Sequence, residues 1–132
     1  MAAKPFAAPR WIALPLLVAA YLQGGIDKAL DFAGAVGEMR HFGLEPAAPL
    51  AFATIALELG ASLLILAGHL RWLGALALAA FTLAANFIAN RYWSAPAADR
   101  FILENGFFEH LGLVGGFLLV AWVDLHERKI AP

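Results

Sequence analysis

One acidic residue, Glu58, lies near the middle of the apolar run ATIALELGASLLILAG, residues 53–68. A carboxylate at the centre of a bilayer costs roughly 2.5 to 3.5 kcal/mol on insertion scales, so it must face protein and find partners or carry a proton. Such a group can accept a proton or hold a ligand. Thr54 and Ser62 lie one helical turn before and after it, where hydroxyls usually serve helix packing. Glu58 is therefore the first functional candidate.

Other polar residues occur at matching depths in the neighbouring apolar runs. The predicted pocket, which opens to the outer side of the membrane, comprises Glu58, Lys28, Gln23, Asp27, Thr54, Asn86, Asn90, Glu109 and His110. Asp27, Lys28 and Glu109 lie near a membrane boundary, where surface ion pairs explain them equally well. Asn86 and Asn90 suit either ligand binding or helix packing. His110 is the only histidine in this set and can change charge near neutral pH.

The elements that must position these residues are membrane-spanning helices. The 132 residues are 62% hydrophobic and 14% charged, with a mean hydropathy of +0.74, which leaves a soluble helical protein too little polar surface. Four apolar runs approach the roughly 20 residues that a helix needs to cross a bilayer. They cover about residues 11–30, 47–68, 70–90 and 106–124. We predict an all-α membrane protein, a single domain over residues 1–132 that forms a four-transmembrane-helix bundle in the lipid bilayer.

The four tryptophans and the positive charges indicate how the spans are placed. Trp11, Trp72, Trp93 and Trp122 each fall at a predicted boundary, where an indole ring is best accommodated. Five Lys and Arg residues lie on the side of the termini and four on the opposite side. The first run lacks a cleavage site, so we interpret it as a retained span. This predicts a bacterial inner-membrane protein with both termini in the cytoplasm.

The two outer connections differ in pattern. In DFAGAVGEMRHFGLEP, Phe32, Val36 and Met39 recur at helical spacing between charged residues, which predicts a short amphipathic interfacial helix over about residues 31–43. Gly43 and Pro46 are typical of the end of such a helix. The second connection, RYWSAPAADRFILEN, is mixed and is predicted to be irregular.

Several classes of function are excluded by composition. Without cysteine the chain has no thiol exchange and no iron–sulfur ligation, and its 9 Lys and Arg residues form no basic stripe for nucleic acid. No metal-ligand spacing and no nucleotide-binding motif occurs, so no intrinsic cofactor is expected. Gly112 and Gly116 form a small-xxx-small pattern, which favours close approach of another helix within the bundle or in a homo-oligomer.

The order of several short motifs resembles the DoxX family of small membrane proteins. The motifs are Gly25-x-x-Lys28, Gly43-Leu44-Glu45-Pro46, Glu58-Leu59-Gly60, Arg71, Phe107-Phe108-Glu109-His110-Leu111-Gly112-Leu113 and Gly115-Gly116. The chain has Asn90-Arg91-Tyr92-Trp93 where members often have a histidine and an aromatic pair, and Glu109-His110 where they often have Lys-Asn. Lys28 and Glu58 match best.

The resemblance implies a four-span fold and three kinds of function. Some members resemble subunits of quinone-linked oxidoreductases, others associate with redox defence proteins, and distant relatives look like assembly factors. Our leading hypothesis is a membrane subunit with a redox partner, whose pocket binds a quinone or a small anion. In it Glu58 accepts a proton, Lys28 attracts the anionic group, and Asn86, Asn90 and His110 orient the ligand. The alternatives are an assembly or stabilising factor and a small-solute transporter. Whether the chain catalyses a reaction alone stays open.

Overall fold

Five α-helices make up nearly all of residues 7–130, which the computed structural model describes. They are α1 (Ala7–Leu30), α2 (Phe32–His41), α3 (Ala47–Ala67), α4 (Arg71–Ala89) and α5 (Ala97–Ile130). A short 3-10 helix, Tyr92–Ser94, lies between α4 and α5. No strand occurs in this part of the chain. The prediction of an all-α protein is confirmed.

Three stretches are long and apolar enough to cross a membrane. They are Ala47–Ala67, Arg71–Ser94 and Ala97–Lys129, with mean hydropathies of 2.1, 1.8 and 1.6. The helix α1 is less apolar, but its 24 residues cover about 36 Å, which also suffices. Many large apolar side chains point outward, among them Leu16, Phe52 and Leu119. In water these exposed side chains would be unfavourable, whereas lipid accommodates them.

Successive long helices run in opposite directions, so the bundle has two distinct ends. Arg10 near the start of α1 forms an ion pair of 2.6 Å with Glu127 near the end of α5. The beginnings of α1 and α4 and the ends of α3 and α5 therefore lie together, and we call this the terminal end. The opposite end, which carries α2 and the 3-10 helix, is called the far end.

Two glycines allow the helices to approach closely. A Cβ atom on Gly74 of α4 would lie 2.7 Å from the carbonyl oxygen of Ala61 in α3. A Cβ atom on Gly25 of α1 would lie 2.7 Å from the side chain of Leu59 in α3. The core between these contacts is filled by Val18, Ile65, Leu78, Phe117 and their neighbours. The relative positions of α1, α3 and α4 are thus set by residues that have no side chain.

The predicted short helix between the first two long helices is present as α2 and packs on α3. Val36 and Met39 are buried with Ala35 against Ala47 and Ala51 of α3, whereas Phe32 is 40% exposed. Asp31 caps the helix by accepting a hydrogen bond of 3.0 Å from the Gly34 N–H group. The apolar face of α2 therefore contacts α3 through Ala35, Val36 and Met39, and Phe32 lies outside that contact.

The last helix begins nine residues before the predicted span. It starts at Ala97, directly after Pro96, and includes the segment ADRFILEN that was predicted to be irregular. Proline is favoured just before or at the first turn of a helix, and Asp99 adds an acidic residue there. Hydropathy located the apolar part of α5 but could not detect an extension of mixed polarity that continues the same helix.

Candidate functional site

The buried carboxylate of Glu58 forms an ion pair with Lys28. The Nζ atom of Lys28 donates a hydrogen bond of 2.8 Å to Oε1 of Glu58, and the two side chains are 21% and 6% exposed. Gly24 makes space for this pair, since a Cβ atom there would lie 3.0 Å from Oε2 of Glu58 and 3.4 Å from the Lys28 nitrogen. The two glycines of α1 thus serve different purposes. Gly25 allows α3 to pack closely against α1, and Gly24 leaves space for the ion pair.

A polar cavity of about 260 Å³ adjoins this ion pair. All five helices contribute to its lining, which consists of Ala20, Tyr21, Lys28, Glu38, Glu58, Phe81, Thr82, Ala85, His110 and Leu113. Lys28, Glu58 and His110 were predicted to line a shared pocket, and the structure brings them together. The cavity lies in the half of the bundle nearer the far end.

An apolar cavity of about 310 Å³ lies next to the polar one. Lys28, Glu38, Phe81 and Ala85 line both cavities. The remaining walls come from α2, α3, α4 and the turn between α2 and α3, and they include Met39, Phe42, Leu44, Leu50, Thr54 and Ile88. Thr54 therefore faces the apolar cavity, and its hydroxyl donates to the carbonyl of Leu50 at 2.9 Å. A polar chamber and an apolar chamber thus share one wall.

His110 is held in a defined tautomer. Its Nδ1 atom lies 2.6 Å from the carbonyl oxygen of Gly106. Because a carbonyl oxygen only accepts, Nδ1 carries the proton, and in the neutral ring Nε2 is an acceptor. The contact of 3.5 Å between Nδ1 and the Asn90 amide nitrogen then joins two donors and is no hydrogen bond. His110 can therefore accept a hydrogen bond or a proton through Nε2.

Asn86 connects two helices, and neither Asn86 nor Asn90 lines the polar cavity. Asn86 is fully buried and donates a hydrogen bond of 2.9 Å to the carbonyl of Phe107 in α5. Its own oxygen accepts a hydrogen bond of 2.9 Å from Asn90. Asn86 thus joins α4 to α5 and is itself supported by Asn90, while the expected role of both in orienting a ligand stays a prediction.

This assignment leads to a prediction for α4. Asn86→Ala should destabilise the protein by about 1 kcal/mol, because it removes an interhelical hydrogen bond from a buried site. Asn90→Ala should cost less, since Asn90 is only partly buried. Reversible unfolding in mixed micelles measures both changes, and an Asn90 variant that is less stable than the Asn86 variant would contradict the assignment.

Three predicted pocket residues lie elsewhere. Gln23 and Asp27 are exposed and bonded to each other at 2.8 Å, and Glu109 is also exposed. They share the depth of the polar cavity, but neighbouring positions on a helix are about 100° apart, so their side chains point away from it. Among the described residues no three His, Asp or Glu side chains are close enough to hold a metal ion.

Three polar residues of this cavity were missed as site residues. Tyr21 and Thr82 are buried and share a hydrogen bond between their hydroxyl groups. Glu38 of α2 lines both cavities although much of its side chain is exposed. Thr82 and Asn86 are four residues apart, so the sequence already places them on one face of a helix. Nothing in the sequence indicated that α2 would place Glu38 beside α1 and α3.

The small-xxx-small pattern of α5 is only partly used within the chain. A Cβ atom on Gly116 would lie 3.4 Å from the side chain of Leu17 in α1. A Cβ atom on Gly112 would meet no described atom within 4 Å, and Gly112 is exposed. Gly112 therefore serves no packing among residues 7–130, contrary to one of the two expectations for it.

A comparison with known protein families covers α2, α3, α4 and most of α1. The model of one protein family, DoxX, matches residues 11–91. The chain belongs to the DoxX family. No curated protein and no solved structure matches the chain. The matched DoxX segment includes Lys28 and Glu58 but not α5, so the ion pair lies within the family region and His110 outside it.

Proposed function

We propose that this DoxX protein is a membrane subunit of a redox system and holds the head group of a quinone in its polar cavity. The observation that carries the proposal is the Lys28–Glu58 ion pair in the wall of the polar cavity, because its Lys28 also lines the adjoining apolar cavity. A quinone has a polar ring with two carbonyl acceptors and an apolar chain. Adjacent chambers, of which one has charged groups in its wall and the other is mainly apolar, suit a molecule of that kind.

The charges around the polar cavity favour a neutral ligand over a small anion. Lys28 is already bonded to Glu58, and Glu38 adds a second carboxylate to the lining. With all three groups ionised, the wall carries one negative charge in excess. The idea that Lys28 attracts an anionic group therefore loses its support, while a quinone carbonyl can accept a hydrogen bond from the same ammonium group.

The proposed chemistry assigns proton handling to this chain and electron supply to a partner. Reduction of a quinone to a quinol takes up two electrons and two protons. The chain contains no cysteine, so we assign the electrons to a redox partner subunit. Glu58 and His110 lie at the cavity wall, where each can take up a proton from water and pass it to a ring oxygen, so that two protons join the two electrons from the partner. Lys28 orients the ring by donating to one oxygen.

For localisation we propose the bacterial inner membrane with both termini in the cytoplasm. The Arg10–Glu127 contact brings the two ends of the described chain to the same side of the bundle. The slight excess of positive charge at that end supports its cytoplasmic placement. The polar cavity then opens toward the outer half of the membrane.

The first prediction of the proposal concerns ligand binding. In detergent micelles, the wild-type protein should bind a naphthoquinone or benzoquinone with a short isoprenoid chain. Glu58→Gln should weaken quinone binding about tenfold or more. The substitution removes the charged partner that holds the Lys28 ammonium group in place to donate to the quinone. Equilibrium dialysis measures the affinity. Glu109→Gln is the matched control, since Glu109 is an exposed acid on α5.

Two outcomes would contradict this proposal. One is a wild-type protein that binds neither quinone, and the other is a Glu58→Gln variant that binds as tightly as the control. Either outcome would favour the second candidate function.

That second candidate is an assembly or stabilising factor for another membrane protein, or for a second copy of this chain. The exposed surface around Gly112 favours it, because an added Cβ atom there would meet no described atom within 4 Å. Small residues on a lipid-facing surface allow a helix of another protein to approach closely. In that case substitutions at Gly112 should change partner abundance and leave quinone binding unaltered.

A further inference from the structure

The apolar cavity that adjoins the polar one lies between α2 and α4. Met39 and Phe42 of α2 line it on one side, and Ala84 and Ile88 of α4 line it on the other. Helix α2 packs on α1 and α3, whereas α4 packs on α3 and α5, so the cavity separates α2 from α4. Phe42 is 36% exposed and Ile88 is 39% exposed, and Ala84 is exposed as well. The cavity is therefore open to the side of the bundle between these two helices.

This opening faces the hydrocarbon part of the membrane. Helix α4 belongs to the membrane-crossing stretch Arg71–Ser94, and its apolar side chains beside the opening, Leu83 and Phe87, are exposed. Phe81 lies farthest into the cavity along α4, eight residues before the helix ends at Ala89, which corresponds to about 12 Å. A molecule dissolved in the bilayer can thus reach the cavity from the side without passing through water.

The charged groups lie where the two cavities adjoin. Lys28 and Glu38 line both cavities, whereas Phe42, Ala84 and Ile88 at the opening line the apolar cavity alone. A ligand whose polar group accepts a hydrogen bond from Lys28 would therefore direct its apolar part toward the opening. The order of the lining residues fixes the direction of such a ligand.

The size of the apolar cavity sets how much of a chain it can hold. Its volume of about 310 Å³ is at the lower end of the range of about 300–1,000 Å³ that is typical of ligand sites. Only the first part of a long apolar chain fits, so the remainder must extend through the opening. Outside the opening the chain meets lipid, which is as apolar as the leucine side chains of the protein. An open side is therefore no disadvantage for a ligand of this kind.

We propose that the opening between α2 and α4 is the entrance for a lipid-soluble quinone, and that the isoprenoid chain of the bound quinone passes through the apolar cavity into the bilayer. This inference rests on the proposed quinone site and narrows its substrate class to quinones that carry an isoprenoid chain. A quinone ring without a chain would occupy the polar cavity alone. Binding of the ring and passage of the chain can therefore be tested separately.

The test uses the full-length protein in detergent micelles and one substitution at the opening. Ala84→Trp places a large side chain there, and because Ala84 is exposed, the indole ring need not displace the core. Leu83→Trp is the matched control. Leu83 is the neighbouring exposed residue of α4, about 100° away around the helix, and it does not line the cavity.

Equilibrium dialysis measures the affinity of each protein for two quinones with the same ring, one with a short isoprenoid chain and one with a methyl group in its place. Variants are compared with wild type for the same quinone, so its partition into detergent cancels. We expect Ala84→Trp to bind the chain-bearing quinone about tenfold or more weakly than wild type and the chain-free quinone equally well. Leu83→Trp should bind both quinones as wild type does.

The other outcomes contradict the inference in distinguishable ways. Equal affinity of Ala84→Trp and Leu83→Trp for the chain-bearing quinone would overturn the entrance and leave the quinone site intact. Weaker binding of both quinones by Ala84→Trp would also overturn it, because the substitution would then act on the ring site and not on the chain. A wild-type protein that binds neither quinone would remove the quinone site itself and the entrance with it.

Discussion

Lys28→Met should destabilise the protein by about 3 kcal/mol, and adding Glu58→Gln in the same chain should restore most of that loss. The single substitution leaves a carboxylate that is only 6% exposed without its cation, and breaking one partner of a buried pair typically costs about 3–5 kcal/mol. The double variant removes both charges together, so no uncompensated group remains. Glu58→Gln alone should cost less, because the Lys28 side chain is 21% exposed and can turn toward water.

Reversible unfolding in mixed micelles, combined in a double-mutant cycle, measures the coupling between the two residues. Asp27→Asn is the matched control, since Asp27 is the exposed neighbour of Lys28 in α1 and should change stability by no more than about 0.5 kcal/mol. Additive effects of Lys28→Met and Glu58→Gln would mean that the ion pair contributes nothing to the fold.

Gly74→Val should destabilise the protein by about 3 kcal/mol or more. Even the Cβ atom would lie 2.7 Å from the carbonyl oxygen of Ala61 and 3.2 Å from side-chain atoms of Ile65 and Leu64. The nearest atom belongs to the backbone of α3, so the contact can be relieved only by moving a whole helix. Overpacking at sites where side chains can still adjust costs about 1–3 kcal/mol, and a backbone obstacle should exceed that range.

Gly60→Ala provides the control for this substitution. Gly60 also lies within a long helix, but an added Cβ atom would meet no described atom within 4 Å. Alanine favours a helix over glycine by about 1 kcal/mol, so this variant should be as stable as wild type or more stable. Thermal unfolding of both variants, followed by circular dichroism, checks the pair. Equal melting temperatures for Gly74→Val and Gly60→Ala would contradict the close approach of α3 and α4.

Helix number and position could be predicted because they depend on local properties. Hydropathy and tryptophan placement located the apolar runs, and α3 and α4 begin and end within one residue of the predicted limits. The start of α5 could not be found in this way, because the segment after Pro96 mixes polar and apolar residues and yet is helical. Hydropathy measures preference for lipid and does not detect a helix that continues beyond it.

The sequence predicts which site residues lie at the same depth in the membrane, but not which of them face the same cavity. Residue count placed Glu58 and Lys28 in the same half of the bundle, and the structure joins them. The same count also placed Asp27 and Glu109 there, although both are exposed. The difference is rotation about the helix axis, which depends on tertiary contacts such as Gly25 against Leu59. Lys28 as the partner of Glu58, and Glu38 as a wall of the cavity, follow from packing between helices distant in sequence.

The two arginines that follow helix ends illustrate the same limit. Arg71 was recognised only as part of a family pattern, yet it is buried and holds the carboxyl end of α3 through Ile65. Arg91 follows α4 and is exposed beside Trp93 at 6.0 Å. Arg71 and Arg91 both follow an apolar run, but Arg71 is buried and Arg91 is exposed. Gly68 makes room for the guanidinium group of Arg71.

The measurement that tests the central claim most directly is native mass spectrometry of the protein extracted gently from its own membrane. Wild type and Glu109→Gln should each retain a small molecule with the mass of a quinone, and Glu58→Gln should lose it. An empty wild-type protein that co-purifies with the same partner protein as the Glu58→Gln variant would contradict the claim. Glu58 would then stabilise the fold through Lys28, and the assembly role would replace the quinone site.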